Sequence, residues 1–189
     1  MKSKHGFTLI ESVIVIVVMG LAMVTIVSFL SPQIARSGDP HYDTRAAALG
    51  QSVMTQILAR GFDHHSDNQG GLVRCSSSVN VGSKVCSGLV GSETPNLGLD
   101  IGETDDEPGL YDDVDDFIGC WVPNGPGGEN QCRNLNDLIN DDSGSYKNFR
   151  LDVAVDYAQP NDASLKKLEL TISASNHQPI TLIGFRGNY

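Results

Sequence analysis

Gly6-Phe7-Thr8-Leu9-Ile10-Glu11 runs directly into Ser12-Val13-Ile14-Val15-Ile16-Val17-Val18-Met19-Gly20 and on through Leu30, and this stretch decides the architecture. From Val13 to Leu30 no residue is charged. About 18 such residues at ~1.5 Å each reach roughly 27 Å, enough to cross a bilayer as a helix. Lys2 and Lys4 precede the tract and only Arg36 follows it closely. That asymmetry puts the N-terminus on the cytoplasmic side. Glu11 lies at the same margin, where a carboxylate is costly unless it has a partner. Working outward, residues 1–6 form a short basic leader, 7–36 a stem helix, and 41–189 a polar head.

An ordinary cleaved secretory signal, with Ala35-Arg36-Ser37 at the cleavage position, fits poorly. Its apolar region is usually only about 7–15 residues long, and Glu11 interrupts this one near its start. A plain membrane anchor requires neither Gly6 nor Glu11. The leader and Gly6-Phe7-Thr8-Leu9-Ile10-Glu11 together resemble the type III signal of type IV pilins and pseudopilins. The resemblance implies that a prepilin peptidase cuts between Gly6 and Phe7 and methylates the new amine of Phe7. It also implies that Glu11 pairs with the terminal amine of a neighbouring subunit during assembly, supplying the missing partner. The implied partners are other pilin subunits, met through the N-terminal helix, and an inner-membrane assembly platform. The chain would wait in the inner membrane as a single-pass prepilin and then move to the pilus at the cell surface. Gly20 reads as a helix-packing residue or as a point where the helix loosens in the filament. Pilins often carry a proline eight residues further on, where this chain has Ser28; its proline comes at Pro32.

After the stem, about 130 to 150 residues remain, enough for one domain with its own core. The formal charge of −10 argues against nucleic acid as a partner. No lysine-arginine cluster follows the stem, so a polybasic lipid-binding patch is not expected. Pro32 and Ser37-Gly38-Asp39-Pro40 should break the first helix. A second helix then follows, capped by Asp43 or Thr44 and closed at Gly61. Its apolar face is Ala46, Leu49, Val53 and Ile57, flanked by Ala47, Met54 and Leu58. Asp63-His64-His65-Ser66-Asp67, followed by Gly70-Gly71, reads as a solvated loop and not as a metal site.

The cysteines, Cys75, Cys86, Cys120 and Cys132, all follow the stem. An even number beyond a membrane segment favours two disulfides in an oxidising compartment, and no pair has the spacing of a zinc site. Local pairing, Cys75 with Cys86 and Cys120 with Cys132, is the expected arrangement, although four cysteines allow three. The first pair would tie a hairpin or wide loop. The second would bracket Trp121-Val122-Pro123-Asn124-Gly125-Pro126-Gly127-Gly128, a run expected to be irregular, with Trp121 buried.

Ten acidic residues and no basic one lie between Glu93 and Asp116. One reading is a solvated, self-repelling loop. A sharper one is a calcium site on Asp112, Asp113, Asp115 and Asp116, since calcium takes several oxygen ligands. The spacing is not that of an EF-hand. Tyr111, Val114 and Phe117 among the carboxylates argue that the segment is docked. The run Asp112-Asp113-Val114-Asp115-Asp116-Phe117 with Gly119 resembles minor pilins of the MSHA (mannose-sensitive haemagglutinin) pilus. Arg45 to Gln51 and Gly70 to Cys75 resemble the D type of that system. The likeness implies a head that caps or primes a filament, not one that forms its bulk.

From Phe149 the pattern alternates strictly. Phe149, Leu151, Val153, Val155 and Tyr157 share one face; Leu168, Leu170, Ile172 and Ala174 repeat it; Ile180, Leu182 and Phe185 supply a third strand. Turns at Pro160-Asn161-Asp162 and Asn176-His177-Gln178-Pro179 make the three an antiparallel meander. The expected fold is α+β: a long N-terminal apolar helix, broken near Pro32–Pro40, and a helix packed on an antiparallel sheet. No cofactor beyond calcium is expected, and no nucleophile–base pairing or phosphate loop points to an enzyme. A type II secretion pseudopilin shares the same signal. A membrane-anchored adhesin using Trp121 and its disulfide loop, or a periplasmic enzyme, is the alternative from another class.

Overall fold

The computed structural model describes residues 8–36, 39–66, 73–79, 82–128, 131–141 and 143–189, with backbone alone at 32–36 and at 39–40. It contains two compact units, Met1–His41 and Tyr42–Tyr189. The first is built on α1, Leu9–Arg36. Its apolar part, Leu9–Ser31, is 23 residues long, about 34 Å at ~1.5 Å per residue, and is long and apolar enough to cross a membrane. Two hydroxyls in its second half turn back on their own backbone. Thr25 Oγ1 donates to the Ala22 carbonyl and Ser28 Oγ to that of Val24, both at 2.8 Å. Neither hydroxyl is left unpaired for an apolar surrounding.

The expected break is narrower than the sequence suggests. The helix continues through Pro32 to Arg36, and α2 begins at Asp39. Pro32 removes one N–H from the ladder, and the last turn still closes. Pro40 stands in the first turn of α2, where its missing N–H has no intrahelical partner to lose. Neither Asp43 nor Thr44 is therefore the cap. α2 spans Asp39–Leu58, and Gly61 lies beyond it in an isolated parallel bridge to Asp113.

The second unit is a five-stranded sheet covered on one face by α2. The strands are β1 (Gly119–Val122), β2 (Arg133–Asn134), β3 (Phe149–Tyr157), β4 (Leu165–Ala174) and β5 (Ile180–Gly187). Their order is β2-β1-β3-β4-β5. All pairs are antiparallel except β1–β2, which is parallel. The fold is α+β, as the alternating strands and the amphipathic helix required. The meander β3-β4-β5 falls where the alternation put it. The pair β1–β2 departs from the irregular chain expected from Trp121 to Gly128, because Trp121 and Val122 complete β1 and pair with Arg133 and Asn134. A short helix, α3 (Leu135–Ile139), follows β2, its N-terminus capped by the Asn134 side chain.

The core lies between α2 and the inner face of the sheet. Ala46, Leu49, Val53 and Ile57 are buried against Leu151, Val153, Leu168, Leu170 and Ile172, while Ala47 is exposed. Helix and sheet approach closely because two glycines leave room. A Cβ on Gly50 would stand 2.7 Å from Ile172 Cδ1 and from Leu182 Cδ1, and one on Gly184 would stand 2.7 Å from Met54 Sδ. Gly184 also explains a difference from the sequence reading. Along β5 the inward positions are Ile180, Leu182 and Gly184, so Phe185 points outward beside Ile183, and both are more than half exposed.

Candidate functional site

Two features carry the chemistry, one in each unit. On α1, the Glu11 amide bonds back to the Thr8 carbonyl at 3.1 Å, and the Glu11 side chain is exposed. Apolar side chains are exposed all round the helix at 8–31, with Ile16 at 70% and Phe29 at 67%. A helix that is apolar on every side needs an apolar environment, either lipid or other helices. A Cβ added at Gly20 would meet nothing within 4 Å. The cleavage and methylation residues, Gly6 and Phe7, lie outside the described residues, as do Asp67, Gly70 and Gly71.

The second feature is built where the chain leaves α2. From Ala59 to Val114 no helix or strand forms among the described residues. This long excursion is closed at its neck. The Gly61 amide donates to the Asp112 carbonyl at 2.9 Å, and Gly61 bridges Asp113. The His64 amide donates to Asp113 Oδ2 at 2.7 Å and the Asp115 amide to Asp113 Oδ1 at 2.8 Å. Asp63 Oδ1 accepts the His65 amide and Oδ2 the Ser87 amide. Lys166, on the inner face of β4, reaches into this neck. Its Nζ donates to the Phe62 carbonyl at 2.7 Å, to Asp63 Oδ2 at 3.2 Å and to Asp115. It also lies 4.7 Å from the centre of the Phe62 ring and 5.6 Å from that of Tyr157. Lys166, Asp63, Asp113 and Asp115 are all fully buried.

The run at 112–116 is therefore docked, and it is hydrogen-bonded in a way that changes its candidate ligands. Asp113 accepts a backbone amide on each of its oxygens, and Asp115 is held by Lys166 and the Gly98 amide. Asp116 turns the other way: its Oδ2 accepts the amides of Asp112 and Asp113 at 3.1 and 3.0 Å. Its Oδ1 is buried without a hydrogen-bond partner. Burial and the neighbouring Asp115 push the Asp113 carboxyl up to about 10. Burial and the Glu103 carboxyl push Asp116 up to about 8. Burial disfavours the Lys166 ammonium, yet Asp115, Asp113 and Asp63 outweigh it and hold Lys166 above its ordinary value.

The expectation of a solvated loop at Asp63-His64-His65 is corrected. Asp63 is fully buried, and only 7% of the His65 side chain is exposed. His64 pairs with Asp112 at 2.9 Å. Burial lowers its pKa, but Asp112, Asp100 and Glu103 raise it further and leave it above its ordinary value. The reading of Trp121 as a contact surface is excluded by its environment. Trp121 is fully buried in β1, and its Nε1 donates to the Phe117 carbonyl at 3.1 Å. The Arg133 guanidinium lies 5.1 Å from its ring, with Nε 2.7 Å from Asp105. Disulfides join Cys75 to Cys86 and Cys120 to Cys132. The first closes a wide loop, not a hairpin, and packs against Phe62 in a small second core.

Sequence reading missed Lys166, Asp100 and Glu103 and placed Asp63 in a solvated loop. Lys166 was detectable in principle, since it holds the inward position two before Leu168 in the alternation of β4. The others sit in irregular chain and have no periodicity to reveal them.

Residues 1–27 match the family described as the prokaryotic N-terminal methylation motif. No curated protein and no solved structure matches the chain.

Proposed function

We propose that the protein is a minor pilin of a type IV pilus of the MSHA class, processed at Gly6–Phe7 and built into, or priming, a filament that supports adhesion. The observation that carries this reading is the coincidence of the methylation-motif match with a helix apolar on every side whose one acidic residue is Glu11. In a filament, neighbouring stems supply the apolar surroundings, and the methylated amine of Phe7 in an adjacent subunit supplies the charge that Glu11 lacks. The prepilin peptidase and an inner-membrane platform are the partners that processing and assembly require. The protein is a structural subunit, with the N-terminus cytoplasmic before extraction and the head outside, where its disulfides persist. The acidic run with Gly119 and the Arg45–Gln51 stretch support the MSHA assignment.

Mass spectrometry of the mature protein tests the processing step. The expected N-terminus is methylated Phe7, and a chain beginning at Met1 refutes the reading. Deleting the gene separates the two filament systems that share this signal. Loss of surface pili with normal protein secretion supports the pilus assignment; intact pili with blocked secretion would identify a type II secretion pseudopilin.

A further inference from the structure

We infer that the head binds one calcium ion between Asp100, Glu103 and Asp116, at the base of the loop excursion, with Asp112 at its margin. One carboxylate oxygen from each of Asp100, Glu103 and Asp116 lies within 4.8 Å of the others, within reach of a single ion whose oxygen ligands stand at about 2.3–2.6 Å. Two of these residues present oxygens that the protein leaves unpaired. Asp116 is fully buried and its Oδ1 has no hydrogen-bond partner. The Asp100 side chain is 4% exposed and its Oδ2 also has none, His64 Nδ1 standing 3.8 Å away. A buried carboxylate oxygen without a partner is expensive, and it is found where a cation is to be held.

His64 is the imidazole beside the site, and it is drawn to Asp112 at 2.9 Å, standing 3.8 Å from Asp100; the buried basic side chains are engaged elsewhere. Lys166 is engaged by Asp63, Asp115 and the Phe62 carbonyl. Arg133 directs its Nε at Asp105 and its Nη1 at the Asp116 carbonyl and the Tyr111 hydroxyl. Among the described residues, five acidic residues are buried (Asp63, Asp100, Asp113, Asp115, Asp116) against two basic ones, Arg133 and Lys166. The loop is already bent around the site: the Asp100 amide donates to Glu103 Oε2 and the Glu103 amide to the Asp100 carbonyl, both at 3.2 Å.

The ligands are all carboxylate oxygens, a hard set that suits calcium or magnesium over zinc. They come from separate parts of the chain, Asp100 and Glu103 from a loop and Asp116 from a short 3-10 turn, and calcium accepts a flexible ligand arrangement where magnesium demands a near-ideal octahedron. The set differs from the contiguous run 112–116, in which Asp113 accepts the His64 and Asp115 amides and Asp115 is held by Lys166 and the Gly98 amide. The site stands independently of the filament to which the stem belongs.

The test uses the full chain in detergent, stripped with chelator and titrated with calcium chloride alone by calorimetry. Unfolding is followed in parallel by the fluorescence of Trp121, the single tryptophan. One calcium per chain and a rise in melting temperature of about 5 °C at saturation are expected. Glu103→Gln and Asp100→Asn should each weaken binding at least tenfold, whereas Asp106→Asn, exposed on the same loop, should not. In chelator the two neutralising variants should melt at or above the wild type, because they relieve repulsion. In calcium they should melt below it. That crossing separates lost binding from misfolding. Identical melting of the wild type in calcium and chelator, with no heat of binding, would mean that Glu103 and Asp116 merely share a proton, and would overturn the site. Unweakened binding in both variants would overturn the ligand assignment. Magnesium binding as tight as calcium would overturn the choice of ion.

Discussion

Replacing Lys166 by Met should be among the most damaging single changes in the head. Met keeps most of the length and apolar stem of lysine but removes the ammonium from a fully buried site where it meets the Phe62 carbonyl, Asp63 and Asp115. Deleting one member of a buried ion pair costs about 3–5 kcal/mol, because the remaining charge stays uncompensated. Against the 5–15 kcal/mol typical of a domain, that is about a fifth of the stability or more. With a urea dependence of roughly 2 kcal/mol per molar, the midpoint should fall by about 1.5–2.5 M. Trp121 reports this transition without interference, since it is the only tryptophan and belongs to the head. Adding Asp115→Asn should recover part of the loss, because the amide oxygen still accepts from the Gly98 amide while the charge is gone. The pH dependence follows from the same contacts. Lys166 is held above its ordinary value in the fold, so its contribution is complete below about pH 10.5 and fades as the pH rises through the folded value. The wild type should lose stability in strong alkali by an amount that Lys166→Met does not show. A loss under 1 kcal/mol for Lys166→Met, or no recovery in the double variant, would refute a charge-compensated neck.

The remaining predictions address packing, covalent closure and assembly. Gly50→Val should destabilise by about 1–3 kcal/mol in urea titration, because its side chain would enter the space of Ile172 and Leu182. Removing Cys120–Cys132 by a double serine substitution should cost about 2–4 kcal/mol by the same measurement and loosen the β1–β2 pair most, readable by hydrogen exchange at Trp121 and Val122. Glu11→Gln should leave membrane insertion and cleavage at Gly6 intact while lowering recovery of the chain in sheared filaments at least tenfold.

The parts legible in the sequence were those with a period. The stem shows as a run without charges, α2 as an apolar stripe at Ala46, Leu49, Val53 and Ile57, and β3 to β5 as strict alternation. In each case one repeating choice, inside or outside, is written many times over. β1 and β2 escaped because they are only 4 and 2 residues long and are separated by a disulfide-closed loop rich in glycine and proline. The stem break falls inside the Pro32–Pro40 interval, and Pro32 and Pro40 themselves lie within helix because near a helix end or in a first turn proline removes little. The acidic run was legible as a concentration of charge and as a candidate calcium site, but the contacts of its individual oxygens were not. Which oxygens remain for an ion depends on Lys166 and on backbone amides from Asp112, Asp113, Asp115, His64 and Gly98. Those partners are brought in by the fold and leave no local pattern.

The neck also explains why the head can carry so much irregular chain. A loop longer than about 12–15 residues without regular structure is uncommon in a compact domain, and the segment from Ala59 to Val114 is far longer. Its described residues are closed at successive places. Cys75–Cys86 closes the first part over Phe62, the bridge from Gly61 to Asp113 brings the two ends together, and Lys166 fixes both ends to β4 through Asp63 and Asp115. Each closure acts at the base of the excursion and leaves its outer residues, such as Val90 and Ile101, free of the core. The same geometry gives the buried carboxylates a reason to exist. An apolar neck would hold the ends together without fixing their register, whereas a lysine with three acceptors admits one arrangement. The meeting of Asp100, Glu103 and Asp116 is then the consequence of crowding acids at that base, and calcium would lock the excursion where the outer environment supplies it.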